Sequence, residues 1–190
     1  MKSFFKTLIL ILISELLILN VSFSAKPPKS FNDWLVTFEA LALEKGISAN
    51  TIKIVFRNVK FLDQVIKYDR KQPEFFEDTI TYISKRATIS RAKKAKKLLE
   101  DNKKLFVRVE DEFNVEKEIL LALWGIETNF GKHVGKMDIV SSLATLSYDK
   151  RRSKFFSTQL FILLQLVDKK LVDVNKLYGS WAGAYGNFQF

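Results

Sequence analysis

From Phe31 to Lys169 the apolar residues recur every three or four positions, and no stretch alternates. That spacing is the repeat of amphipathic helices and leaves little room for a sheet. Phe31 to Lys45 places its apolar side chains at 31, 34, 35, 38, 41 and 42, with Asn32 as cap and Gly46 as stop. Ser48 to Phe56 restarts behind Ser48, with Ile52, Val55 and Phe56 turned inward. Phe75 to Leu99 reads as a longer helical stretch broken near Ala87 to Ser90, and Leu105 to Phe113 as a short amphipathic helix. Asn114 is expected to cap the next helix, which runs to about Phe130 with Glu116 and Glu118 in its first turn, where the helix dipole favours acids. Ile139 to Leu146 and Arg152 to Lys169 complete the set, and no internal repeat is present. The reading is an all-α protein.

Composition narrows the class further. Three Pro and seven Gly in 190 residues leave few breaks in regular structure, and 47% apolar residues exclude a disordered or collagen-like chain. The absence of Cys excludes disulfides, thiolate metal sites, a cysteine nucleophile and a lipid anchor on an N-terminal cysteine. The length suits one domain, with room for a small appendage.

Residues 1–24 read as an address. Lys2 and Lys6 precede apolar runs at Leu8 to Ile13 and Leu16 to Leu19, and Ser22-Phe23-Ser24 offers small residues where a signal peptidase reads. Cleavage is expected after Ser24, ahead of Pro27-Pro28. The rival is a retained membrane anchor, which needs about 20 mostly apolar residues and is disfavoured by Ser14, Glu15 and Asn20. An exported protein of the periplasm or cell envelope is the expectation. Its 31 basic against 21 acidic groups give a net charge of +10, which suits anionic neighbours such as cell wall and lipid headgroups. Lys93, Lys94, Lys96, Lys97, Lys103 and Lys104 cluster within Arg91 to Lys104 without interleaved aromatics. That cluster reads as a solvated helix face, and nucleic acid is not an expected partner.

The segment with most chemical content is Trp124-Gly125-Ile126-Glu127-Thr128-Asn129-Phe130-Gly131. On a helix from Val115, Glu127 shares a stripe with Leu120, Leu123 and Trp124. A carboxyl at the C-terminal end of an apolar face is desolvated and meets the negative end of the helix dipole; both favour its protonated form. That is the form a general acid needs. Gly125 is read as open space beside the acid and Gly131 as the helix stop. Spacing alone leaves a second reading open, a Glu at a helix end turned to water. His133 and Met137 read as surface or packing residues, since a lone His has no ligand cluster around it. Near the end of the chain, Gly179, Gly183 and Gly186 imply a backbone drawn tightly against a ligand or another element. Trp181, Tyr185, Phe188 and Phe190 are expected to lack cover there.

Three blocks, taken in order, resemble the lytic murein transglycosylase B family of bacterial peptidoglycan-cleaving enzymes. They are residues 124–131; Leu143-Ala144-Thr145-Leu146-Ser147 with Arg151, Arg152 and Phe156; and Gly179-Ser180-Trp181-Ala182-Gly183-Ala184-Tyr185-Gly186 leading to Gln189-Phe190. The likeness extends more loosely back to about Phe31. It implies a lysozyme-like helical catalytic core over 114–190, preceded by an N-terminal helical region over 25–113. It implies Glu127 as sole acid and base: it protonates the oxygen between N-acetylmuramic acid and N-acetylglucosamine, then takes the proton from the muramic C6 hydroxyl as a 1,6-anhydro ring closes. It also implies that Gln189, Tyr185 and Gly186 line the sugar groove, that the partners are peptidoglycan glycan strands, and that no cofactor is needed. The family's Met-Pro-Ser continuation after Gln-Phe is missing, so the chain reads as truncated at its C-terminal side. The calcium site of some relatives would fall in the missing part, so no metal is expected. Three further readings stay open: a second polypeptide supplying the missing part, an inactive remnant or murein-binding module, and a hydrolase using Asp138 or Asp149 as second carboxylate.

Overall fold

The computed structural model describes residues 30–71 and 77–189. The expected leader over 1–24 lies outside them, as do Phe75 at the start of the third expected helix and Phe190. Among the described residues nine α-helices run in order: α1 Phe31–Glu44, α2 Ala49–Phe56, α3 Asp63–Arg70, α4 Thr79–Arg86, α5 Ile89–Asp101, α6 Lys103–Phe113, α7 Lys117–Thr128, α8 Ile139–Tyr148 and α9 Ser153–Asp168. A single turn of 3-10 helix follows at Val174–Lys176. Among the described residues the one departure from all-helix is an antiparallel ladder of β1 (Met137–Asp138) with β2 (Tyr178–Gly179), too short to show as alternation. None of the described helices is long and apolar enough to cross a membrane.

Local chemistry accounts for most boundaries. Helix α1 begins at Phe31, so Asn32 lies inside it and is not its cap. It ends as Gly46 turns left-handed (φ +88°), with Gly46 N–H donating to Leu43 O and Ile47 N–H to Ala42 O. That pair of bonds is a Schellman stop, which needs a residue free to adopt positive φ. Ser48 caps α2 as expected, its hydroxyl accepting from Thr51 N–H at 3.2 Å. Asp78 caps α4 and Thr88 caps α5, so the break expected near 87–90 is present. Asn114 is the exception. It closes α6 in the left-handed conformation (φ +51°), and α7 follows Glu116, whose side chain makes no capping bond.

Packing centres on α8, in which every residue from Ile139 to Ser147 is buried. Its apolar side chains meet Phe156, Leu160, Leu163 and Leu164 of α9, Phe38 and Ala42 of α1, Ile52, Val55 and Phe56 of α2, and Val65 of α3. Its hydroxyls hold the α2–α3 connection, Ser141 accepting from Lys60 N–H and Thr145 from Leu62 N–H. The far end of α9 is tied to α2 by Asp168, which accepts from the Ser48 and Thr51 hydroxyls at 2.5 and 2.6 Å. This cluster draws on residues from both sides of the 113/114 boundary expected from the sequence, and none of its members comes from 77–136. In that interval α4 and α5 bury no residue fully and α6 buries only Phe106. Helix α7 bridges to this layer, with Leu121, Gly125 and Thr128 buried.

Candidate active site

The buried face of α7 is Leu121, Gly125 and Thr128, one step round the helix from the expected stripe. Leu120 and Trp124 are half-buried, and Leu123 and Glu127 are exposed. Glu127 therefore stands on an open face, and the desolvation expected from Leu120, Leu123 and Trp124 is not present. The reason is that α7 packs through Leu121, Gly125 and Thr128. Ala122, Gly125 and Leu121 face Ala92 and Ala95 of α5 across a cavity of about 550 Å³. Nor does Gly125 leave open space: a Cβ there would fall 2.8 Å from Cζ of Phe130, whose ring occupies the position.

Helix α7 ends at Thr128, one turn short of Gly131. Asn129, Phe130 and Gly131 follow with φ of +51°, +60° and +79°, a left-handed run directly behind the acid. Such a run is costly for residues with side chains and persists only where neighbours hold it. Here they do. Phe130 stands edge-on to Trp124 with ring centres 5.8 Å apart, and the Lys94 ammonium lies 4.9 Å from its ring centre. Lys94 also donates to Asn129 O at 3.2 Å, a cation at the C-terminal end of the helix where the dipole favours one. Gly131 N–H donates to the Thr128 hydroxyl at 2.9 Å.

The β1–β2 ladder brings the C-terminal segment alongside this turn. Gly135 passes so close to Gly179 that a Cβ on it would run into the Gly179 carbonyl. Ser180 shapes the loop that follows: its N–H donates to Ala184 O at 2.8 Å, and its hydroxyl accepts from the N–H groups of Ala182 and Ala184. Of the expected groove residues, Tyr185 is 45% exposed and Gly186 is left-handed (φ +75°) with open space around it. Gln189 donates its side-chain amide to Gly186 O at 2.8 Å and to Val134 O at 3.2 Å, so it braces the loop. None of the three is hydrogen-bonded to Glu127, and Tyr185 lines a pocket with Leu143 of α8 and Phe155 and Gln159 of α9. Trp181, expected to lack cover, is half-buried against the core with Tyr68 at 6.5 Å between ring centres, and Phe188 is half-buried too.

Two residues outside the sequence expectation do structural work here. Asn187 accepts from the Trp124 indole N–H at 3.1 Å through its side chain and from the Thr128 hydroxyl at 2.8 Å through its backbone carbonyl. Asp69, 2% exposed, is bonded by Arg70 and Arg151 at 2.6 Å each and by Arg152. Burial alone would push the Asp69 carboxyl up, but the Arg152 and Arg151 guanidiniums outweigh it and hold the group below the usual aspartate range. A polar residue bonded across 63 or 82 positions leaves no local pattern, so neither showed in the periodicity.

The carboxylates near the motif blocks are unequal. Asp138 caps α8, accepting from Ser141 N–H at 2.6 Å, and Asp149 receives Arg70 at 2.8 Å and the Arg151 N–H at 3.2 Å. Glu127 has no hydrogen-bond or ion-pair partner among the described residues. No group of three or more acidic or His side chains among them is placed to hold a metal ion.

Residues 30–190 match the family model described as the transglycosylase SLT domain. Membrane-bound lytic murein transglycosylase B of Escherichia coli strain K12 is 39% identical over 79 residues, which is 41% of this chain and 22% of that protein. The crystal structure of SltB3 from Pseudomonas aeruginosa, in complex with NAG-NAM-pentapeptide, is similar with a TM-score of 0.80 and 33% identity, covering 85% of this chain and 43% of that one. The Escherichia coli lytic transglycosylase Slt35, in complex with calcium, is similar with a TM-score of 0.71 and 26% identity over 89% of this chain and 53% of that one. The chain thus spans about a fifth of the curated relative and about half or less of these solved ones. The expected all-α, lysozyme-like helical class agrees with these neighbours.

Proposed function

The chain belongs to the transglycosylase SLT domain family, and from that membership we propose that it cleaves the β-1,4 bond between N-acetylmuramic acid and N-acetylglucosamine in peptidoglycan, leaving 1,6-anhydromuramic ends. The observation that carries the reading is the contrast among carboxylates: Glu127 is exposed and without a partner among the described residues, while Asp138 and Asp149 are engaged as a helix cap and an ion pair. A two-carboxylate hydrolase needs a second carboxylate facing the acid across the scissile bond. A reaction whose nucleophile is inside the sugar does not.

Glu127 acts twice in this scheme. As the acid it gives its proton to the glycosidic oxygen, so the C1–O bond breaks and N-acetylglucosamine leaves with a free 4-hydroxyl. The muramic C6 hydroxyl then bonds to C1, and its proton returns to the Glu127 carboxylate. No water is consumed and the acid is regenerated. Tyr185 offers an exposed ring for a sugar face, Gly186 leaves room for the strand, and Gln189 fixes the loop that carries both. Around this site, 114–190 is the catalytic core in this reading and 25–113 the helical region before it. The leader over 1–24 carries the protein to the periplasm, where glycan strands are the partner. The scheme uses no cofactor or metal and does without the second polypeptide that the sequence raised.

Digestion of purified peptidoglycan by residues 25–190, read by mass spectrometry, is the test. Anhydromuropeptides that vanish in Glu127→Gln are the expected result. Reducing ends alone would mean hydrolysis and overturn the single-acid scheme. Binding to cell walls without products from either protein would leave a murein-binding module or an inactive remnant.

A further inference from the structure

Glu127 sits on the last turn of α7 with no side chain to aim it, so its position is set by whatever fixes that turn. Two contacts do so from the far end of the chain. The Trp124 indole N–H donates to Asn187 Oδ1 at 3.1 Å, one turn before the acid. The Thr128 hydroxyl, next to the acid, donates to Asn187 O at 2.8 Å while accepting from Gly131 N–H at 2.9 Å. The same Oδ1 would lie 2.7 Å from a Cβ on Gly131, so Asn187 fits this turn only because residue 131 has no side chain. Asn187 thus touches both flanks of Glu127 and the left-handed run behind it. It is joined in turn to the groove loop that holds Tyr185 and Gly186.

We propose that Asn187 is a positioning residue: it latches the C-terminal loop to the end of α7 and thereby sets where Glu127 points. Resting on the reading of Glu127 as the acid, the proposal adds that the acid and the groove wall are aligned by one residue, through its side-chain amide and its backbone carbonyl, and do not move independently. A misplacement of about 1 Å at a reacting group costs up to about a hundredfold in rate, so a small latch matters to turnover more than to folding.

The experiment compares wild type, Glu127→Gln, Asn187→Ala and Asn187→Asp on peptidoglycan glycan strands, with kcat and KM from anhydro-product formation and hydrogen exchange at the Gly131 amide. Asn187→Ala is expected to lower kcat about tenfold, to leave KM within about twofold and to speed Gly131 exchange. Asn187→Asp keeps an acceptor for the Trp124 indole and is expected to restore kcat. A kcat in Asn187→Ala equal to wild type overturns the latch, and so does equal impairment of the Ala and Asp variants. An inactive wild type, or a Glu127→Gln variant as active as wild type, is a different failure. It removes the reading of Glu127, and the latch's purpose with it.

Discussion

Two regions of this molecule are built on opposite principles. Around α8, side chains from α1, α2, α3 and α9 close into one apolar cluster with Ala42, Val65, Leu160 and Leu164 at 0% exposure. Across α4–α7 the layer is thin: Ile80 and Ile89 are 81% and 77% exposed, and a cavity opens beside the contact of α5 with α7. Both regions are helical and both hold apolar residues at helical spacing, so spacing does not separate them. What differs is whether a second apolar face is there to receive the first. The candidate acid lies between them, on α7, whose end is secured by contacts from Lys94 on one side and Asn187 on the other.

Several substitutions sharpen or break the contrast. Leu164→Ala, at the centre of the closed region, is expected to cost about 3–4 kcal/mol in urea unfolding. A cost under about 1 kcal/mol would show that the cluster is looser than its burial indicates. Asp69→Ala leaves three guanidiniums facing an empty site and is expected to cost about 3 kcal/mol, the low end for a buried pair because all three arginines reach solvent. Asp69 also sets a pH dependence. Its carboxyl titrates lower in the folded protein than in the unfolded chain, so its stabilisation is complete above the unfolded value of about 3.9 and is lost as pH falls through the folded one. The stability lead of wild type over Asp69→Asn should therefore shrink below about pH 4; a constant lead would remove the charge from the account. Gly125→Ala forces the Phe130 ring aside and is expected to cost about 1–2 kcal/mol in the same unfolding assay, with a loss of anhydro product. Smallest of all, Ile89→Ala in the open layer is expected to change stability by less than about 0.5 kcal/mol. A larger cost there would mean that α4–α7 is better packed than its exposure shows.

Legibility from sequence follows the same division. Long apolar faces were plain, and α1, α2, α6, α8 and α9 lie close to where periodicity puts them. Helix α3 escaped notice because eight residues with Val65 and Asp69 as their buried members make no apolar run. Asn114 is ambiguous in the sequence because a short amide side chain serves equally at the start of one helix and in the left-handed close of another, the role it takes here. The face of α7 is ambiguous for a related reason: its buried stripe holds one large apolar residue, Leu121, with Gly125 and Thr128, while Leu120, Leu123 and Trp124 outweigh it one step round the helix. Glu127 itself stood out through the block around it. Asn187 and Asp69 did not, because each acts through one partner set far along the chain, which no local window contains.

The central place of α8 also bears on timing. Helices α1–α3 occupy residues 31–70, yet the surface that covers them is contributed by α8 and α9 at 139–168. During synthesis at about 5–20 residues per second, the interval between the first of these helices and the last is on the order of ten seconds. Over that interval α1 and α2 have each other, as in the Phe38–Phe56 ring contact, but the apolar face of α8 that closes the cluster is not yet made. The cluster therefore closes only once α8 and α9 have been made.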